Sequence, residues 1–372
     1  MKAIQVIPPG KTLGVLTDLP VPALRDGYCL VKVSAVALNP TDWKHVDYGA
    51  ADPGSTVGCE YAGVVVAVGR GGAAGFREGD RIAGLVRGSD RTNHENGAFA
   101  EYLVAKAALQ FRIPDSMSDE QAATLGVSLA TVGQGLYKSL KLPLPKLPTS
   151  PPPPSSAAAA AEPEKTYLFI HAASTSVGLY ATQCARASGL TVITTSSPRH
   201  HALLSRLGAS LTLDRHAPEH ETARRIAAYT DGNLLHAWDC TGTGASLCAA
   251  SLSRSTSSSS SSPLYGVINP GVETEHLTSI NPAIQGPPRF TLAYDVFGEP
   301  YVFRGVGIEP AEDEFAHASM FTALCQSLLE EGVVVPIEPD VNRGGSGLEG
   351  VLVGLDELRA GRVSGTKLVY TL

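Results

Sequence analysis

The stretch YLFIHAASTSVGLYATQCARASG (167–189) constrains this chain most, because an uncharged apolar run leads into a loop of small residues and then directly into a helical pattern. A strand ending this way aims backbone N–H groups and a helix dipole at an anion. The runs LTVITT (190–195), HHALLSRLGA (200–209) and SLTL (210–213) continue the alternation of short strand and helix. Such alternation with short connections predicts parallel βαβ units, hence a Rossmann-like doubly wound sheet.

Set against the dinucleotide pattern G-x-G-x-x-G, the loop offers Ala173, Thr175 and Gly178, so only the last glycine survives. Ala173 is still small, Gly178 permits close helix–strand packing, and Ser174, Thr175 and Ser176 carry hydroxyls that could serve phosphate oxygens. Standing alone, the loop reads equally as an ordinary strand–loop–helix junction. The second strand adds a signal, since it ends in Ser196, Ser197, Pro198, Arg199, His200 and His201, where an NAD-preferring fold usually carries an acid. Hydroxyls followed by cations suit a 2′-phosphate, so NADPH is favoured over NADH, with a solvated turn as the bland alternative. Arg215, beyond the third strand, could add charge or stack on the adenine.

The first third has a different texture. YCLVKVSAVAL (28–38), EYAGVVVAVG (60–69), DRIAGLV (80–86) and AFAEYLVA (98–105) are short apolar or alternating runs punctuated by turn residues, which predicts a folded-over antiparallel sheet. A helix is expected over 312–331, then a terminal helix and strand, LEGVLVGLDELRAG and TKLVYTL, whose packing the pattern alone does not decide. Two passages, a proline- and alanine-rich one near 142–165 and a serine tract near 253–262, read as low-complexity insertions between elements, with no chemistry.

At 372 residues the chain has room for two or three domains. Its formal charge of −7 gives no basic excess for nucleic acid, and no apolar run approaches the length of a membrane span. Pro8, Pro9 and Gly10 interrupt the N-terminus before a signal-peptide core could form, so a cytoplasmic location is expected. The cysteines Cys29, Cys59, Cys184, Cys240, Cys248 and Cys325 lack the paired spacings of a disulfide framework or zinc knuckle and read as reduced thiols.

Metal-free chemistry is the further expectation. A zinc alcohol dehydrogenase would present a cysteine where this chain has Asn39, a G-H-E motif where it has Gly58-Cys59-Glu60, and clustered cysteines where 87–96 has none. Cys59 reads as a small buried residue and His94 as a loop histidine.

NPTDWK (39–44), GCEYAGVVVAVG (58–69), GDRIAG (79–84), NGAFAEY (96–102), the HAASTSVG loop and the closing GRVSGTKLVY resemble the medium-chain dehydrogenase/reductase superfamily, in its zinc-free quinone-reductase-like branch. More closely, NPTDWKH, LGVSLATVGQGLY, the TSSPRH turn, TLAYDVFGE (291–299) and LEGVLVGLDELRAGRVSGTKLVY resemble the trans-acting enoyl reductases of fungal polyketide pathways. The resemblance covers nearly the whole chain outside the insertions. It implies a GroES-like catalytic domain from 1–128 and 308–372, with a Rossmann NADPH-binding domain over 129–307.

Carried over position by position, the resemblance puts Asp42, Trp43, Lys44 and His45 beside the dinucleotide, with Ser174, Thr175, Ser176 and Val177 and, at the strand end, Ser197, Pro198, Arg199 and His200. Arg215 stands where the family usually has a tyrosine on the adenosine side; Val267 and Ile268 are an approximate cofactor contact, and Val363 and Ser364 should reach the nicotinamide end. Val127, Ser128, Leu129, Ala130, Thr131, Val132, Gly133 and Gln134 should line the acyl pocket, together with Thr291, Leu292, Ala293, Tyr294 and Asp295.

The activity implied is NADPH-dependent reduction of an α,β-unsaturated thioester held by the acyl carrier domain of a polyketide synthase, or a synthase fused to a peptide synthetase, that lacks a working reductase. The protein itself is expected to be a monomer. The protein's task is orientation and stabilisation of charge on the thioester oxygen. Lys44 and Thr131 are the catalytic candidates, each with a plain structural alternative as a solvated lysine and a buried helical threonine. No residue stands out as general acid, and bulk water could supply the proton. Two other readings stay open: reduction of free quinones or small enones, and a non-catalytic NADPH-binding partner of a synthase.

Overall fold

A computed structural model describes residues 1–8, 12–71, 75–148, 165–255, 262–303 and 305–372. Most of the proline/alanine insertion (149–164) and of the serine tract (256–261) lies outside the described residues. The described chain divides into two units, Met1–Ala130 with Ala293–Gln326 and Pro336–Leu372, and Thr131–Leu292 with Ser327–Val335.

In the first unit the long strand Tyr28–Ala37 is the organiser. It pairs antiparallel with Glu60–Val68, with Tyr102–Lys106 and with the C-terminal strand Lys367–Thr371, while Arg81–Leu85 extends the sheet beyond Glu60–Val68. The alternating runs of the sequence become strands because one face can bury: Val31, Tyr61, Ile82, Phe99, Leu103 and Tyr370 share one core, each at most 1% exposed. The tail is thereby located, with Val369 opposite Ala37 and Tyr370 opposite Val36.

The second unit holds six strands among its described residues, in the order Ala209–Asp214, Thr191–Ser196, Tyr167–His171, His236–Asp239, Leu264–Val267, Arg289–Phe290, with every pairing parallel. In chain order this is 3-2-1-4-5-6, the doubly wound order whose ligand crevice lies beyond the strand C-termini, where the order reverses beside the first strand. The expected α/β architecture is therefore present.

The division between units departs from the expected 129–307 span. Residues 293–307 belong with the first unit because their polar side chains are tied there: the Tyr294 hydroxyl to Thr41, and Glu299 to Tyr28 and Lys106. Residues 327–335 belong with the second, where the Gln183 side chain both donates to the Val335 carbonyl and accepts from its N–H. Among the described residues no helix is long and apolar enough to cross a membrane.

Candidate active site

In the second unit the strand Tyr167–His171 ends in a loop whose Ala172 takes a left-handed backbone, φ 57°. Thr175 then caps the helix Ser176–Ala187, its Oγ1 accepting from the Gly178 N–H at 3.1 Å and donating to the Ala172 carbonyl at 3.0 Å. The Thr175 hydroxyl thus holds the turn together. Ser174, Ser176 and Val177 stay half-buried on the loop. A Cβ on Gly178 would lie 2.6 Å from the Cα and carbonyl oxygen of Ala173, so the helix start rests directly on the loop backbone. That close seat and the capped helix terminus fit a pyrophosphate.

At the end of the neighbouring strand Thr191–Ser196 the sequence-predicted cluster does assemble. Arg215 Nε donates to Ser197 Oγ at 3.0 Å, Arg199 Nε donates to His200 Nε2 at 3.1 Å, and Arg199 and Arg215 are exposed. Partial burial and then the two arginines push the His200 imidazole below its usual range. No acidic side chain occupies the end of this strand, so two guanidinium groups face solvent where a 2′-phosphate would be held. Val267 is buried at the end of its strand, and the Ile268 N–H donates to the Asp239 carbonyl.

Thr131, Val132, Gly133 and Gln134 are buried, in a helix that widens into a π-helical turn over Gly133–Ser139. Gln134 Nε2 donates to the Leu292 carbonyl at 3.2 Å, which joins the two sequence stretches expected to line an acyl pocket. Thr291 is buried, its N–H donating to Val267, and Leu292 is half-buried.

In the first unit the helix Pro40–Asp47 starts at Asn39, whose N–H donates to Asp42 Oδ2 at 2.7 Å. Asp42 is 1% exposed and its carboxylate caps the helix. Burial pushes its carboxyl up to about 7, against the pull of the Asn39 bond. Trp43 packs against the core with Arg359 over its ring, and Lys44 is partly buried, which lowers its ammonium pKa. His45 faces a tyrosine: its Nε2 lies 3.2 Å from both Tyr294 Oη and Thr41 Oγ1, and those two oxygens are 2.7 Å apart. Asp295 accepts from the Tyr301 hydroxyl at 2.6 Å, and Ala293 is half-buried. Val363 packs against the core while Ser364 is exposed.

Cys59 is buried, with its thiol pushed well up first by burial and then by Asp42. Beside it Glu60 accepts from Asn39 Nδ2 at 2.9 Å and from the Val127 N–H at 2.9 Å, and pairs with Lys367. Ser128 lies 3.5 Å from Lys367 Nζ, buried with Leu129; of this run only Val127 and Ala130 keep partial exposure. Ser128 and Leu129 are thus packed inside. Among the described residues no group of three or more His, Cys, Asp or Glu side chains is arranged to hold a metal ion. Sequence reasoning missed Thr41, Glu60 and Lys367 as members of these networks; the NPTD and GCE motifs held the first two in plain view.

Comparison with known proteins follows the same lines. Residues 25–115 match the alcohol dehydrogenase GroES-like domain family. A trans-enoyl reductase of Aspergillus sclerotiorum, resD, is 40% identical over 376 residues, an alignment covering 100% of this chain and 99% of that protein. ACTTS2, a trans-enoyl reductase of Alternaria alternata, is 37% identical, covering 95% and 94% respectively. A solved mycobacterial structure complexed with NADPH shares the fold, with a TM-score of 0.70 at 22% identity and complete coverage of both chains.

Proposed function

The chain belongs to the trans-enoyl reductases, and from that premise we propose that it uses NADPH to saturate the α,β-double bond of a polyketide intermediate carried as a thioester on the acyl carrier domain of a separate synthase. What carries the reading is that the likeness runs the full length of the chain, through both units, and not through one domain alone.

The second unit supplies the cofactor's seat: the Ala173–Gly178 turn and helix terminus for the pyrophosphate, and Ser197, Arg199 and Arg215 for the 2′-phosphate. Bound there, the nicotinamide supplies hydride to the β-carbon. The remaining task falls to this chain's own groups, which must align the acyl chain and stabilise negative charge on the thioester oxygen as it develops. Lys44, whose ammonium is partly desolvated, and Thr131 are proposed for that electrostatic role, and the Gln134–Leu292 contact for shaping the acyl side. A free-quinone reductase would use the same fold, so the substrate decides between them. Purified protein with NADPH and an enoyl-pantetheine thioester should consume NADPH and yield the saturated thioester. Oxidation of NADPH by free quinones, with the thioester untouched, would overturn the reading.

A further inference from the structure

In the second unit the strand His236–Asp239 lies beside Tyr167–His171, with Asp239 opposite His171, at the point where the strand order reverses. The Asp239 side chain is fully buried and takes up the donors of the loop that follows it. One carboxylate oxygen, Oδ1, accepts from the Thr241 N–H at 2.8 Å, the Gly242 N–H at 2.9 Å and the Thr241 hydroxyl at 2.9 Å. The other, Oδ2, accepts from the Gly244 N–H at 2.7 Å and from the Tyr265 hydroxyl at 3.1 Å. Every partner is a donor, so the position calls for a group that only accepts, and a carboxylate is such a group. A single buried side chain therefore fixes the course of residues 240–244.

That loop lies against the turn proposed above for the pyrophosphate. The Cys240 thiol bonds to the side chain of Thr175, the cap of the helix Ser176–Ala187. A Cβ on Gly244 would lie 2.4 Å from the His171 ring, so the loop backbone rests directly on the imidazole. His171 Nδ1 is in turn 3.0 Å from Thr195 Oγ1, which accepts from the Ala172 N–H at 3.2 Å, and Ala172 is the left-handed residue that opens the turn. We infer that Asp239 is a positioning residue for the coenzyme, holding the loop Cys240–Gly244 so that the Ala172–Gly178 turn keeps the shape a pyrophosphate requires. This rests on the proposed NADPH reading. The carboxylate is sealed from any ligand, so its influence runs through Gly244 and His171 on one side and through Cys240 and Thr175 on the other. An asparagine there would set an NH₂ against buried N–H groups, donor facing donor, and the loop would have to shift. The proposed 2′-phosphate site has its own support, since Arg215 bonds to Ser197.

The test is calorimetric titration of the full chain with NADPH, with 2′-phosphoadenosine diphosphoribose, which keeps the pyrophosphate but lacks the nicotinamide, and with adenosine 2′-phosphate, which lacks both. Asp239→Asn should raise the Kd of the first two by about tenfold or more and leave the third within about twofold of wild type. Thr195→Val, which cuts the link from His171 to Ala172 while Asp239 stays in place, should show the same pattern. A general loosening of the fold would weaken all three ligands together. Asp239→Asn that binds the diphosphoribose within about twofold of wild type, or that loses all three ligands alike, overturns the inference. If circular dichroism shows that variant unfolded, the same two outcomes for Thr195→Val overturn it. Wild type that binds neither NADPH nor the diphosphoribose would instead take down the coenzyme reading, a result distinct from variants that bind as well as wild type does.

Discussion

Lys367, the first residue of the C-terminal strand Lys367–Thr371, and Glu60, at the start of the strand Glu60–Val68, form an ion pair with side chains 3% and 0% exposed. Glu60 carries two further bonds, from Asn39 Nδ2 and from the Val127 N–H, so one carboxylate ties the first helix, the central sheet and the helix start at Gly126 together. Removing one partner of a buried pair strands the other charge, which costs about 3–5 kcal/mol. Lys367→Met is expected to lower the urea unfolding free energy by that amount. The double variant Glu60→Gln, Lys367→Met should recover much of the loss, because no uncompensated charge remains. Equal stabilities for wild type and the single variant would show that the pair is not sealed from water.

Gly178 offers a backbone test. The Cβ of Gly178→Ala would come within 2.6 Å of Ala173 Cα, so the helix Ser176–Ala187 must lift from the loop. A loss of about 1–3 kcal/mol is expected from such overpacking, accompanied by weaker NADPH binding on the proposal that this turn seats the pyrophosphate. Thermal melting and a fluorescence titration with NADPH read the two effects. Unchanged values in both would mean the turn has slack the geometry does not reveal.

What the sequence made legible was local. Parallel strands and helices announced themselves by alternation around Tyr167–His171 and Thr191–Ser196, and the lack of an acid in the Ser197–Arg199 turn was readable because those residues are side by side in the chain. What stayed hidden was long-range. Residues 293–307 carry no periodic signal linking them to the first unit; their allegiance comes from Tyr294 meeting Thr41 and Glu299 meeting Lys106 across 253 and 193 positions. The capping roles of Asp42 and Thr175 were hidden in a common way: a polar residue near a helix start can serve the orphan N–H groups of its own chain, and pattern alone does not separate that from a ligand contact.

The proposed NADPH preference is testable at the strand end. Arg199→Asp or Ser197→Asp would set a carboxylate against the 2′-phosphate and beside Arg215, which already bonds to Ser197 Oγ at 3.0 Å. The kcat/KM ratio of NADPH to NADH is expected to fall by about tenfold or more, corresponding to about 1.4 kcal/mol. Steady-state kinetics with each coenzyme decide it, and a ratio unmoved in both variants would place the phosphate elsewhere.

Asp42 gives the pH dependence its sign. Its carboxyl is pushed up to about 7 chiefly by burial, with Glu60 adding to the effect, while the Asn39 N–H and Lys367 oppose it. In the unfolded chain the same group ionises near its ordinary 3.8. Folding therefore favours the protonated form, so the stability Asp42 contributes is complete below that lower value and drains away as pH rises through about 7. Asp42→Asn keeps an oxygen for the Asn39 N–H but cannot ionise. Near pH 4 the variant and wild type should be close in stability, and by about pH 8 the variant should be the more stable by a few kcal/mol at most. Urea midpoints of both proteins across that range supply the comparison. A variant weaker than wild type at the alkaline end would mean that the ionised carboxylate is held by its neighbours more strongly than burial penalises it.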